Sequence, residues 1–386
     1  MAENTIDSIV PDIYEALDIV SRELTGLIPA VTLSASSERA RLNQEIVVDI
    51  APEIAAVDVT PAMTIPEPVG LTSTPTSIKI SKERAAPSGF IGNDQKGLNT
   101  GVGYQNHRAG KIAQAIRTLT NEVETDLGGL QSTFSRAYGT AGTTPLGTAN
   151  DYTDASNVLK ILKDNGAGGL DNNLVLDTTA GANFIGKQSA VNSAGTDSML
   201  RQGVLLDLAG MPLRESAKIV TTGTDVITDN VTVTGIEPIG ETTINVTTDA
   251  SGAVSAVAVD IITFAGDSNK YVIAAYVTIG NSTAGDIVIA EAGLQAATSA
   301  TQVVSGVAAS ARNMCFARSA LVLATRAPAR PEEGDQAVDV MIITDPRSGL
   351  SLEFAMYKGY RKVRYEVSAA WGVKNIKPEH TALLLG

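Results

Sequence analysis

Few residues in this 386-residue chain have the types and spacing that chemistry requires. The two histidines, His107 and His380, lack a His or Cys partner at ligand spacing, whereas a zinc site gathers three or four such donors. Cys315, the one cysteine, sits in RNMCFARSALVLATRA, which reads as an apolar helix and predicts an inert buried thiol. Glu122 and Asp126 pair at i,i+4, and Glu332 adjoins Glu333. The first pair is expected on the solvent face of a long helix and the second in a Pro-flanked loop, so neither describes an acid/base pair. GVGYQN at 101–106 breaks the dinucleotide fingerprint at its third glycine, and neither GxxxxGK[ST] nor GxSxG occurs. No catalytic, cofactor-binding or metal-ligating residue is assigned, and an enzyme is not expected.

One stretch could instead bind nucleic acid. Five of the chain's 16 aromatic residues (Phe354, Tyr357, Tyr360, Tyr365, Trp371) lie within SLEFAMYKGYRKVRYEVSAAWGV at 351–373, among Lys358, Arg361, Lys362 and Arg364. Bases stack on rings and phosphates seek cations. Yet Leu352, Phe354 and Met356 alternate with Glu353 and Ala355, and Val363, Tyr365 and Val367 alternate with Arg364 and Glu366. Period two on both sides of KGYRK, with Gly359 at the turn, predicts a β-hairpin with one buried face, its rings mostly in the core or an interface.

A net charge of -13 argues against broad binding to DNA or anionic lipid, because both partners carry the same sign. Apolar content of 44% against 18% charged predicts a folded chain, and the 35 glycines with abundant Thr and Val predict much extended structure. The single cysteine fits a reducing compartment, and neither a signal peptide nor a membrane-spanning apolar run is expected.

The elements follow from periodicity. Ile13, Leu17, Val20, Leu24 and Ile28 predict an amphipathic N-terminal helix with an acidic front half, Asp7, Asp12, Glu15 and Asp18. Residues 43–104 hold short β-prone runs broken by prolines, an extended excursion or two-stranded ribbon without a core of its own. Ile112, Ile116, Leu119, Val123, Leu127, Leu130 and Phe134 predict a spine helix over 105–138, roughly 50 Å long, with Gly128 and Gly129 bending it near its end. Thr153 or Asp154 is expected to cap a helix running through Lys163, followed by a buried strand at 173–177 and a further helix. Positions 221–309 carry nine acidic residues and one basic residue, Lys270, with repeated strand signatures, so a separate small β domain is read as inserted into a host domain.

This order resembles the major capsid (coat) proteins of tailed double-stranded DNA bacteriophages, in the branch with an inserted β-barrel, as in the short-tailed Salmonella phage coat protein. The residues that carry the likeness are Ala320 to Arg326, Ser348 to Ser351, Gly372, Pro378 and Glu379, with DIITFAGDSNKYVIA in the insert, where Val259-Asp260 departs from the family's Gly-Asp. The resemblance implies an α+β tailed-phage major capsid fold with these parts: an N-terminal arm helix (1–30), an arm and extended loop (31–104), the spine helix of the peripheral domain (105–152), an axial domain in two pieces (153–220 and 309–335), the inserted β-barrel (221–308), and closing peripheral strands (336–386). It implies a subunit that self-assembles through pentamers and hexamers into an icosahedral shell around phage DNA bound without sequence specificity. The expected location is a virion capsid, built in the host bacterial cytoplasm.

Its expected partners are a scaffolding protein, a portal protein and a decoration protein, with no membrane and no cofactor. Asp12, Glu15 and Asp18 are the expected contacts to a basic scaffold segment. Some family members cross-link a Lys in the extended loop to an Asn in the peripheral domain. Lys79 or Lys82 and Asn375 fall in suitable regions, but the sequence shows no preorganised carboxylate to drive the reaction. A nanocompartment shell of the same fold and a β-rich tail or adhesin protein remain open as alternatives.

Overall fold

The computed structural model describes residues 26–48, 56, 59, 61, 75–98, 104–148, 151–169, 171–187, 207–219, 221–223, 227, 231–345 and 349–386. The predicted N-terminal helix therefore lies almost wholly outside the described residues; Ile28–Ala30, at its expected end, forms a 3-10 turn.

The described chain then enters β1 (Thr32–Ala40), a short ribbon of β2 (Glu45–Val48) against β3 (Thr76–Lys79), and β4 (Lys82–Ile91). Helix α1 (Gly92–Leu98) leads to α2 (Tyr104–Gly128). At 25 residues α2 is about 37 Å long, shorter than the spacing of its apolar stripe predicted. Gly128–Gly129 ends the helix instead of bending it: 129–133 is a 3-10 helix, and Phe134 is already extended with φ -80° and ψ 144°. The apolar period outlasts the helix because Leu127 and Phe134 fill one continuous core by different backbone routes.

Next come β5 (Arg136–Tyr138), α3 (Thr153–Asp164), β6 (Asn172–Leu176), α4 (Thr178–Lys187), β7 (Leu213–Glu215) and β8 (Thr221–Thr222). Neither Thr153 nor Asp154 caps α3: Tyr152 holds the cap position without a side-chain bond, while Asp154 Oδ2 accepts from Leu146 N at 2.9 Å. Residues 231–307 form β9 (Val231–Val233), β10 (Thr243–Thr248), β11 (Val254–Ala256), β12 (Ile261–Phe264), β13 (Lys270–Val272), β14 (Val277–Ile279), β15 (Ala284–Val288) and β16 (Val303–Val307).

The segment expected as a helix, 312–327, instead lies in two strands, β17 (Ser310–Ala317) and β18 (Leu321–Pro328). Almost every side chain in both is buried, so neither shows the alternation that marks a half-exposed strand. The chain closes with β19 (Ala337–Thr344), β20 (Ser351–Gly359), β21 (Lys362–Asn375) and β22 (Thr381–Leu385).

A six-stranded sheet runs β1-β18-β21-β20-β19, with β4 paired to the free edge of β21. Helix α2 packs its stripe of Ile112, Ile116, Leu119 and Val123 into one core with Phe354, Met356, Tyr365 and Trp371. The hairpin of β20 and β21 is present, but its loop is Tyr360–Arg361, and Gly359 is the last paired residue, opposite Lys362. Burial also exceeds expectation, since Glu353 and Ala355 are as enclosed as their neighbours; Arg39 and Arg330 close that face by pairing with Glu353.

A second sheet runs β15-β10-β9-β16-β12-β13-β5-β22-β17-β6-β7. The strands of 231–307 surround their own core, including Val233, Ile244, Phe264, Tyr271, Ile287 and Val304. The outer members of this group meet through a bridge between Ile273 and Ile289 and the bonds Ala290 N to Val272 O and Ala274 N to Val288 O. The region joins the rest of the sheet through two pairs, Lys270↔Ala137 and Tyr271↔Arg136. Alternation divides its strands: Ile262 and Tyr271 face the local core, whereas Ile261 and Val272 face the core that contains α2.

Candidate functional site

The arrangement brings together side chains that fasten segments far apart in sequence, and it leaves two outward faces without a partner. Glu124, on α2, is 1% exposed. Its carboxyl group accepts from Leu27 N at 2.7 Å, Ile28 N at 3.0 Å and Ser216 Oγ at 2.8 Å. Three segments thus meet at one acid: the start of the described chain, the helix, and the stretch after β7. Burial pushes the Glu124 carboxyl above its usual range, against the opposing pull of the bonds from Leu27, Ser216 and Ile28.

Of the two acids expected on a solvated face, Glu122 stays partly exposed, whereas Asp126 is drawn in among neighbouring strands. Asp126 Oδ1 pairs with Lys82 Nζ at 2.6 Å, and its Oδ2 accepts from the buried indole Trp371 Nε1 at 2.8 Å. Glu122 meets Arg84 Nε at 3.4 Å. Asp126 therefore pins both β4 and β21 to the helix, and Glu122 adds a partly exposed pair to β4. No single-sequence signal distinguishes them from surface acids, because their spacing fits either role.

The ribbon is the first outward face. Ile78 and Ile80 are buried with Val322, Ala324 and Ala370, and Lys374 Nζ donates to Ser77 O at 2.9 Å. β3 crosses β21 so closely that a Cβ on Gly372 would lie 2.0 Å from Lys79 O, which explains a glycine in mid-strand. Away from this crossing, Val47 is 66% exposed.

The second face is the tip of the β20–β21 hairpin beside the end of β4. Residues 90–93, Gln95 and residues 358–363 line an open cleft of about 730 Å³. Tyr360 is 88% exposed, Ile91 is 47% exposed, and the Arg361 guanidinium carbon stands 5.6 Å from the Tyr360 ring centroid. Phe354, Tyr365 and Trp371 are core residues as expected, so the aromatic character of the hairpin divides between a buried stem and this tip.

Of the residues singled out for possible cross-linking, Lys79 is exposed, whereas Lys82 is held by Asp126. Asn375 is 7% exposed and donates to Thr133 O at 3.1 Å and Thr133 Oγ1 at 3.0 Å. Asp12, Glu15 and Asp18 lie outside the described residues. Cys315 is fully buried in β17, not in a helix, and burial pushes its thiol up. Among the described residues no group of three or more His, Cys, Asp or Glu could hold a metal, and no helix is long and apolar enough to cross a membrane.

Arg312 is the most enclosed cation. It is 0% exposed, bonds Ser310 Oγ through Nη1 at 2.7 Å, and has Nε and Nη2 without hydrogen-bond partners. Burial lowers it to about 10, opposed by the charge of Asp260. This group joins β17 to the 231–307 region electrostatically, through Asp260.

No protein-family model matches the chain, and no curated protein matches it. The chain is similar to a solved structure from Mycobacterium phage Che8, with 12% identity over 96% of this chain and 87% of that one and a TM-score of 0.42. It is also similar to the capsid of the native GTA particle, with 12% identity, 94% and 90% coverage and a TM-score of 0.46. A third is the virus-like particle from Pyrococcus furiosus, with 11% identity, 97% and 98% coverage and a TM-score of 0.42.

Proposed function

We propose that the chain is the structural subunit of an icosahedral shell that encloses the double-stranded DNA genome of a tailed bacteriophage. The observation that carries this reading is the β2–β3 ribbon. It is fixed at one end by Ile78, Ile80 and Gly372 and carries Val47 outward at 66% exposure. A two-stranded ribbon is marginal alone and gains stability when another surface covers it. Copies of the same chain, as pentamers and hexamers, supply that surface.

Other features support the same reading. The closing segment carries the coat-protein resemblance, and its strands form a sheet braced along α2. The ring of strands at 231–307, with its own core, supports an inserted barrel. A net charge of -13 suits a container wall that holds DNA without binding it tightly. A scaffolding protein, a portal protein and a decoration protein complete the assembly, which takes place in the host bacterial cytoplasm.

Electron microscopy and sedimentation of the purified full chain, with and without a scaffolding protein, test the proposal. Closed shells of uniform size are expected. Persistent monomers or open fibres under both conditions overturn it, and shells from infected cells that protect no DNA from nuclease favour a nanocompartment instead.

A further inference from the structure

We infer that the basic hairpin tip is a docking site for the acidic N-terminal segment, residues 1–25, of a second copy of this chain. The inference rests on the shell reading and adds a specific contact to it. At the tip, Lys358, Arg361 and Lys362 are exposed and form no ion pair, around the exposed rings and side chains of Tyr360 and Ile91. Lys111 adds a further cation, 4.3 Å from the Phe90 ring centroid at the base of the cleft. The two acids closest along the chain are already engaged, Asp94 by Ile91 N at 3.3 Å and Glu366 by Arg364. The cleft thus sets Phe90, Ile91 and Val363 beside three cations that form no ion pair among the described residues, with Asp94 the one acid next to its lining, inside a molecule of net charge -13.

The segment has the complementary pattern. Residues 1–25 contain Glu3, Asp7, Asp12, Glu15, Asp18 and Glu23 against the single cation Arg22, and Ile13, Leu17, Val20 and Leu24 form an apolar stripe at helical spacing. Folded as the amphipathic helix that this spacing predicts, the segment would seat its stripe on Ile91 and Tyr360 while its carboxylates meet the rim.

Tether length selects a second copy over the same chain. The described chain starts at Gly26, and Leu27 is fixed to Glu124, close along α2 to the Asp126 that holds Lys82. From Lys82, opposite Trp371, to Ile91, opposite Lys362, β4 covers about 30 Å. As the helix that its apolar spacing predicts, 11–25 would cover about 22 Å, short of the tip of its own subunit. This assigns Asp12, Glu15 and Asp18 a partner on another copy in place of the scaffolding protein expected from the sequence.

A labelled peptide of residues 1–25, titrated into the full chain and followed by fluorescence anisotropy, tests the contact without requiring shells. Salt-sensitive binding is expected. It should weaken at least tenfold for Lys358→Glu/Arg361→Glu/Lys362→Glu, with the emission of Trp371 unchanged as a control for folding. A scrambled peptide of equal charge should also bind at least tenfold more weakly. Equal binding by the tip variant overturns the site. Equal binding by the scrambled peptide reduces it to a general cationic surface, and tighter, tip-dependent binding of duplex DNA makes it a nucleic-acid face instead; either result overturns the proposal.

Mixing separates the two copies. The tip-reversed chain and a chain with Asp12→Lys/Glu15→Lys/Asp18→Lys should each assemble poorly alone and assemble together, because each tip then meets an opposite segment. Failure of the mixture, with both chains folded and wild type forming shells, overturns the contact alone. Peptide binding by a wild-type chain that forms no shells preserves the contact and removes the shell reading.

Discussion

Asp126 holds two groups at once, a lysine at the start of β4 and the chain's one tryptophan on β21. Asp126→Ala leaves the buried Trp371 N–H without an acceptor, a loss of about 1–3 kcal/mol. A lower denaturation midpoint with altered tryptophan emission is expected, and Asp126→Asn should lose less because it keeps one acceptor oxygen. Glu124 adds a pH dependence. Its folded pKa is raised by burial, so its stabilising contribution is complete below the ordinary value of 4.5 and declines as pH rises through the raised value. Denaturant titrations from pH 4 to 8 should show wild type losing stability relative to Glu124→Gln as pH increases; parallel curves would contradict this role. Neither acid was legible in the sequence. Glu122, Glu124 and Asp126 are ordinary helix acids until residues more than 30 positions away supply their partners.

At the scale of elements, Gly372 is where β3 and β21 come closest. Gly372→Ala forces a Cβ against the Lys79 carbonyl and should cost about 3 kcal/mol through displacement of the ribbon. The expected outcome is a lower melting temperature and faster proteolysis within 45–79. Gly359→Ala, which meets only the flexible Lys362 side chain, should be nearly silent. Sequence periodicity located α2, the ribbon and the closing hairpin because apolar and polar residues alternate along each, although in the hairpin stem the polar face is covered too. It failed over 312–327, where both faces are covered and Leu321, Leu323, Ala324 and Ala327 satisfy a helical spacing as well as a strand. It also overran the end of α2, since Phe134 continues the apolar spacing after the backbone has become extended. The tip's exposed character was partly visible in KGYRK; its cleft depends on β4, about 270 residues earlier in the chain.

For the whole molecule, the separate core of 231–307 predicts separable stability. Ile287→Ala removes a fully buried side chain there and should cost about 2–5 kcal/mol. Hydrogen exchange should quicken in β9, β10 and β15, and the amides of β17 and β22 should keep their protection. Uniform loss of protection would show a single cooperative unit. The acidic composition made this region visible as a distinct piece of sequence, but not the continuity of its sheet with the host, because β5 contributes only three residues, RAY, to that junction.

That junction also has a side chain that ties its two sides together. Within the sheet the 231–307 region meets its host through two residue pairs at β13 and β5, reinforced by Arg136 bonding Asn269 at 3.0 Å and Asn165 at 3.1 Å, while Ile261, Val272 and Ala290 pack into the core that contains α2. The neighbouring pairings of β10 with β15 and of β17 with β22 each extend over five pairs. The ladder at this seam is short, and Arg136 is the side chain that spans it, bonded on one side to the 231–307 region and on the other to the end of α3.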